Sequence, residues 1–422
     1  MNYSMLWFIK FFVFFAFLGG DFMPPLCAAT STTRPIKKKK KRSLKKKKRP
    51  RKIRTKVRHK IFYPKFSRTL SKFFDHSDDQ SPSGSPCIWQ GESLIPFDEL
   101  ILSWNALRPA SGKITFFVSV KHSDWSPWHR LAEWGADSQK TFVNKLNPYV
   151  HTKYVKVEMQ QNLFATAFRI KAVFSDGASK RSLNALFACI SNMPMFRQNR
   201  TVPAKPSLLV KGVPQQSQMV IDHPRAKDLC SPASTSMIVQ YFANKLYTGK
   251  GPLGMHDYVI DFAGKVHDDG VLGIYGNWPL NVAQAHDASN GHIFYRVERL
   301  NSFNELYDYI SKEIPVAVSV RRLKGGATPY SKGHFMVVVG WDNITSSVIC
   351  IDPAFRGNRK TLKRYKLAHF LNAWALSRNL SYIPMPKHGI WQWQENITAS
   401  LTPPAPEADL APLDLAQENA FA

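Results

Sequence analysis

From Cys87 to about Asn192, apolar residues come in short alternating runs broken by turns: LILSW, KITFFVSV, VKVEM, FRIKAVF and LNALFAC. A period of two without any long helical period predicts strands, and a succession of them predicts an antiparallel β-sandwich over residues 87–192. The Pro-containing stretch 193–212 reads as a linker, as does the Ser, Pro and Asp-rich stretch 75–86. From residue 213 to 396 the pattern is mixed. Ser231 to Leu246 carries Met237, Ile238, Tyr241 and Phe242 on one helical face. Ser302 and Glu305 form a capping-box pattern for a helix through Ile310. PVAVSV, HFMVVVGW and SVICID read as strands, and Leu367 to Leu376 as a further amphipathic helix. The expected architecture is multi-domain: an all-β sandwich followed by an α+β domain.

Composition adds limits. Of 422 residues, 44% are apolar and 13% aromatic, enough for a sizeable core. That excludes a globally disordered, collagen-like or disulfide-scaffold protein. No stretch after residue 20 is long and apolar enough to span a bilayer. The net charge of +28 invites a nucleic-acid reading, but Arg34 to Lys60 alone holds 18 Lys/Arg and no acid. Lys65, Arg68 and Lys72 bring that to 21, so about +7 is left for everything else. Residues 30–86 are therefore expected to be a disordered basic arm and linker. Such an arm either adheres, without sequence specificity, to an anionic polymer or membrane surface, or is a solvated linker. It lacks the interleaved aromatics of base-stacking proteins, so no sequence-specific nucleic acid is expected.

Met5 to Gly20 is apolar apart from Lys10, and Cys27-Ala28-Ala29 offers small residues for cleavage. Residues 1–29 thus read as a signal peptide, with export to the periplasm or the outside. The basic run just behind it keeps a signal-anchored protein with a cytoplasmic body as the alternative. Residues 397–422 are Pro and Ala rich, carry acids and no Lys or Arg, and are expected to be a disordered tail. Cys87 and Cys189 either pair in an oxidising compartment or stay two buried thiols, and Cys350 reads as core. The tryptophans at 104, 125, 128 and 134 read as core, although DWSPWHRLAEWG offers rings for sugar or peptide stacking. The pairs His256-Asp257, His267-Asp268-Asp269 and His286-Asp287 fit no standard metal spacing and are expected on the surface or in loops. No metal or cofactor is expected.

The remaining cysteine carries chemistry. Cys230 opens the predicted helix, with Pro232 in the first turn, where a missing N–H costs nothing. A thiol there feels the positive end of the helix dipole, which favours thiolate. His334 opens the strand HFMVVVGWD after Gly333 and is the best partner for it. Asp352 ends the next strand eighteen residues on, where a hairpin through DNITSS sets it beside His334 to orient the ring. An upstream amide from Gln215, Gln216 or Gln218 is expected to complete an oxyanion hole with the Cys230 N–H.

The set Val213-Pro214 through Gln218, Cys230-Ser231-Pro232-Ala233-Ser234, Gly333-His334-Phe335 and Asp352-Pro353-Ala354 resembles the bacteriocin-processing (double-glycine leader) cysteine peptidases. The resemblance is to their stand-alone, papain-like branch, and covers roughly residues 213–385. YGNWPLN looks like a further signature, and the segment from Phe97 resembles β-sandwich domains placed ahead of such peptidases. The resemblance implies a papain-like fold over 213–396, with Cys230 as nucleophile, His334 as base, Asp352 as orienter and Gln218, or else Gln216, as oxyanion donor. Asn277 and Trp278 are expected to line the cleft. Ser231 departs from the family's usual Gly after the nucleophile. The expected activity is hydrolysis of a peptide or isopeptide bond in a peptide or protein substrate. The alternative is a catalytically silent binding protein that keeps the fold.

Overall fold

The computed structural model describes residues 65–76, 85–201, 204–246 and 255–387. The signal segment at 1–29, the basic run at 34–60 and the acidic tail at 397–422 lie outside the described residues, as does Cys27. The described residues all belong to one compact unit, Phe62–Ala422.

The first lobe is built from strands β1 (Ser67–Phe73), β2 (Cys87–Phe97), β3 (Glu99–Ala106), β4 (Lys113–Lys121), β5 (His129–Gly135), β6 (Gln139–Thr141), β7 (Val150–Lys153), β8 (Lys156–Met159), β9 (Ala165–Ser175) and β10 (Leu183–Ser191). They form two five-stranded antiparallel sheets, ordered β1-β10-β3-β8-β7 and β2-β9-β4-β5-β6. The sheets meet through Trp104 on β3, which stacks on Phe116 at 4.5 Å and meets Trp134 edge-on at 6.3 Å. Every residue of β3 is buried. A sheet covered on both faces needs no polar alternation, and the second cover is the other lobe.

The second lobe contains β11 (Leu208–Leu209), α1 (Cys230–Leu246), α2 (Met255–Gly264), α3 (Trp278–Ala288), β12 (Ile293–Arg299), α4 (Phe303–Ile310), β13 (Val316–Val320), β14 (His334–Asp342), β15 (Ser347–Ile351), β16 (Leu362–Lys366), α5 (Leu367–Ala375) and β17 (Leu380–Pro386). Its antiparallel sheet runs β12-β17-β13-β14-β15-β16, with β11 added on β14. At Gly340 a Cβ would fall 2.6 Å from the Leu208 carbonyl, so glycine is what lets β11 approach. Ser302 caps α4 as expected, its hydroxyl accepting from the Glu305 N–H at 3.2 Å. The Glu305 carboxylate reaches back one residue further, accepting from the Asn301 N–H at 2.7 Å. The whole is an α+β structure rich in antiparallel sheet.

Several expectations are corrected. Ser67–Phe73, assigned to the arm and linker at 30–86, is a strand paired with β10 along its whole length. Its Phe73 packs edge-on against Phe187 and Phe294, which bridges the lobes. The 193–212 linker also joins the fold through β11, and Val210 is buried. Of the two readings left open for Cys87 and Cys189, the structure has the second: each is a buried thiol with no disulfide, and Cys189 shares a hydrogen bond with Ser67. Trp104 and Trp134 are core, whereas Trp125 and Trp128 are half-buried and both lie against the Arg169 guanidinium, at 4.7 and 4.6 Å.

The expected surface acids and histidines include two of the most buried polar groups. Asp268 has no exposed surface. It accepts from the Thr141 N–H (3.0 Å) and hydroxyl, the Asn277 amide (2.9 Å) and the Gly270 N–H (3.0 Å). His286 is equally buried, with Nδ1 at 2.7 Å from the Ile293 carbonyl. Both stitch the lobes together, since Thr141 belongs to the first lobe and Asn184, beside His286 Nε2 at 2.9 Å, does too. Further stitches are the buried Glu99–Arg299 ion pair and the Asn105 side chain, which bonds both backbone groups of Tyr295. Among the described residues no group of three or more His, Cys, Asp and Glu is placed to hold a metal.

Candidate active site

Three elements converge at one end of the second-lobe sheet. Helix α1 is buried along most of its length and begins at Cys230, so its first free N–H groups and its dipole point at the thiol. Strand β13 ends, β14 begins and β15 ends beside it, because Val320 pairs with His334 and Val337 with Ile351. Gly333, immediately before His334, has φ +103°, a conformation that β-carbon residues rarely adopt. The chain can therefore turn sharply into the strand.

His334 Nε2 lies 2.7 Å from Asp352 Oδ1. Since Nε2 is engaged there, Nδ1 is the nitrogen left for the hydrogen bond between His334 and Cys230. Asp352 is fully buried. Besides His334, it accepts from the Ala354 N–H at 3.1 Å and the hydroxyls of Tyr330 at 2.8 Å and Tyr365 at 2.6 Å. A carboxylate with four donors stays charged even without water. Tyr330 does a second job, because its ring stacks on the imidazole with centroids 4.1 Å apart. The ring fills the space over Gly326, where a Cβ would come within 2.4 Å of it.

These contacts set the charges. Burial alone would push the Cys230 thiol up. The His334 hydrogen bond and charge, helped by the N–H groups of Phe335 and Ser231, outweigh it and hold the thiol below its ordinary value. Burial alone would lower His334, but the Asp352 carboxylate and the Cys230 sulfur raise it to about 9. Asp352 would also rise on burial, yet the imidazolium and the two hydroxyls hold it below the usual carboxylate value. Burial first, and the neighbouring carboxylate next, keeps Tyr330 and Tyr365 protonated as donors. The arrangement favours a thiolate–imidazolium pair at neutral pH.

Ser231 is helical with an ordinary φ, so no glycine is needed there. Its hydroxyl is 3.0 Å from the Tyr382 hydroxyl, and Tyr382 stacks on Phe335, the residue after His334.

The other expected site residues fall differently. Gln218 is anchored near the site, its N–H donating to the Pro353 carbonyl at 2.9 Å. Its side-chain amide, however, donates to the carbonyls of Ala226 at 3.0 Å and Lys227 at 2.8 Å. Both N–H donors are thus spent on the segment leading into α1, where they fix the approach to Cys230. Gln216, the fallback, is buried and donates to the Ser217 carbonyl at 3.0 Å. The Gln218 amide is thus not left free as an oxyanion donor, and Gln216 spends one of its two donors on the backbone. Asn277 is corrected as a substrate-binding residue, because it has no exposed surface and its amide serves Asp268 and Thr141. Trp278 is half-buried and stacks on Tyr154 of the first lobe at 6.2 Å. The YGN segment contributes through Tyr275 instead: the ring sits under Arg225 at 4.9 Å, and its hydroxyl is 3.4 Å from His223 Nε2. The sequence reading missed Tyr330, Tyr365 and Tyr382, since nothing in local spacing ties a tyrosine to a distant carboxylate or hydroxyl.

Comparison with known proteins adds the following. No curated protein matches the chain. A crystal structure of a protein described as a C39-like peptidase from Bacillus anthracis aligns at 15% identity, covering 43% of this chain and 99% of that chain, with a TM-score of 0.32. The model of the Peptidase_C39 like family matches residues 210–382, the stretch that holds Cys230, His334 and Asp352. The family match supports a C39-like cysteine peptidase fold for residues 210–382.

Proposed function

We propose that this protein is an exported cysteine peptidase of papain-like arrangement, hydrolysing peptide or isopeptide bonds, with the first lobe as a β-sandwich ahead of it. The observation that carries this reading is the continuous chain from Cys230 through His334 to Asp352, with Asp352 locked by four donors. The Cys230 thiolate attacks the substrate carbonyl carbon. The oxyanion then faces the N–H groups at the start of α1, since the Gln218 donors are engaged elsewhere. His334, as imidazolium, protonates the leaving amine, and a thioester on Cys230 remains. Water attacks the thioester while His334 takes its proton, the carboxylic acid leaves, and the thiolate–imidazolium pair is restored. Asp352 holds the ring in one tautomer and stabilises its charge throughout.

The basic run at 34–60 would tether the exported enzyme to an anionic polymer or membrane surface. One observation favours the second reading, a catalytically silent binding protein: the Gln218 amide has both donors engaged and is not free to support the oxyanion. Exposing the purified chain to a peptide pool separates the two. New amino termini that vanish in Cys230→Ala support the enzyme; an unchanged pool alongside intact binding supports the silent fold.

A further inference from the structure

The cations of the second lobe are concentrated at one place. Residues 213–320 contain eight Lys/Arg and eleven Asp/Glu, whereas residues 321–366 contain ten Lys/Arg and only two acids. One of those acids is the buried Asp352. The other, Asp342, ends β14 at the opposite end from His334, about 25 Å away at the usual strand rise.

Two loops carry the excess, and both leave the sheet at the Cys230 end. The loop from β13 to β14 presents Arg321, Arg322, Lys324 and Lys332, all exposed. Arg321 directly follows Val320, the partner of His334, and its Nε lies 3.7 Å from where a Cβ on Gly333 would sit. The loop from β15 to β16 starts at Asp352 and presents exposed Arg356, Arg359 and Lys360. Its Asn358 accepts from the Ser217 N–H at 2.9 Å, which draws that loop against the Gln218 segment. Among the described residues, none of these seven cations has an ion-pair partner. The remaining wall of the site is balanced, since Arg225 there pairs with Asp228 at 2.8 Å.

Seven uncompensated cations around one mouth repel each other and focus a positive field on it. Among the described residues none of the seven side chains makes a hydrogen bond or ring contact that would account for the arrangement. We propose that the site selects peptide segments rich in Asp and Glu, whose carboxylates on either side of the attacked bond are held by the 321–332 and 356–360 loops. This rests on the reading of Cys230 as the nucleophile. The carboxylates pair with guanidinium groups in place of water, and substrate approach is accelerated at low salt.

The test reads occupancy at Cys230 itself, so peptide held only by the 34–60 arm goes unregistered. The full chain is alkylated with uncharged iodoacetamide, and modification of the Cys230 peptide is followed by mass spectrometry. Competitors are an Asp/Glu-rich decapeptide and its Asn/Gln counterpart, and each variant is referred to its own uncompeted rate. The acidic peptide should slow alkylation about tenfold at low ionic strength, the effect fading as salt rises. The paired reversals Arg321→Glu with Arg322→Glu, or Arg356→Glu with Arg359→Glu, should cut the protection to the level given by the amide peptide. Equal protection by both peptides, no protection by either, or protection that survives both reversals overturns the proposal. So does stronger protection by an oligonucleotide of equal charge, which would assign the rim to a different polymer. An uncompeted Cys230 rate no faster than an ordinary thiol would count against the nucleophile reading alone, leaving the comparison between peptides intact.

Discussion

Replacing Tyr365 by Phe removes one hydroxyl and keeps the ring. The hydroxyl donates to Asp352 Oδ2 at 2.6 Å, and both residues are buried. A hydrogen bond to a charged group is worth about 1.5–3 kcal/mol, and Asp352 keeps three other donors, so a loss near the low end, about 1.5–2 kcal/mol, is expected. At roughly 1.4 kcal/mol per pKa unit, the Asp352 carboxyl should rise by about one unit. Its folded pKa is depressed below the usual carboxylate value, so its contribution to stability is present above about pH 4 and is lost as pH falls through the depressed value. The gap in stability between wild type and variant should accordingly be full near neutrality and shrink in acid. Thermal or urea unfolding at about pH 7 and about pH 3 measures it, and the neutral-pH shift should be roughly 3–6 °C. Asp352 remains ionised at neutral pH in the variant, so Cys230 should still label quickly. A penalty under about 0.5 kcal/mol, or one equally large in acid and at neutrality, would show that the hydroxyl does not hold this carboxylate.

Three further outcomes follow from named contacts. Gln218→Ala loses two bonds to the Ala226 and Lys227 carbonyls, so melting should drop by the equivalent of about 1–2 kcal/mol. Acylation of Cys230 by a p-nitrophenyl ester should fall less than tenfold; a fall of 10²–10³ at unchanged stability would restore Gln218 as an oxyanion donor. Asp268→Ala strands buried donors on Thr141, Asn277 and Gly270, so about 3 kcal/mol or more should be lost from a single unfolding transition of both lobes. Two separate calorimetric transitions would argue against a shared core. Gly326→Ala drives a methyl into the Tyr330 ring, which backs His334, so labelling of Cys230 should slow even where circular dichroism is unchanged; an unaltered rate would separate Tyr330 from the site.

The residues of the site are more legible in the sequence than their surroundings. Cys230 sits where an apolar helical pattern begins, and His334 and Asp352 sit at the ends of apolar β-branched runs joined by a short turn. Local pattern alone therefore brings the last two to 2.7 Å. The partners of Asp352 are invisible by the same logic, since Tyr330 is on a loop and Tyr365 on a strand with exposed neighbours. The strand at Ser67–Phe73 is masked by its charges, Arg68 and Lys72, although its alternation is real and Phe73 is an anchor. The burial of Asp268, Asn277 and His286 escapes too, because each is satisfied by groups from a lobe more than a hundred residues away in sequence. Polar residues read as surface unless their donors can be counted, and the count needs the fold.

The central claim, a thiolate–imidazolium pair between Cys230 and His334, is tested most directly by the pH dependence of iodoacetamide reaction at Cys230, with and without His334→Ala. The pair requires fast labelling at neutral pH, a rate that sets in below the ordinary thiol range, and a change near pH 9 where His334 loses its proton. In His334→Ala the profile should become a single step shifted up towards the ordinary thiol pKa, because burial is then opposed only by the Phe335 and Ser231 N–H groups. Identical profiles in the two proteins, each a single step at the ordinary value, would contradict the pair.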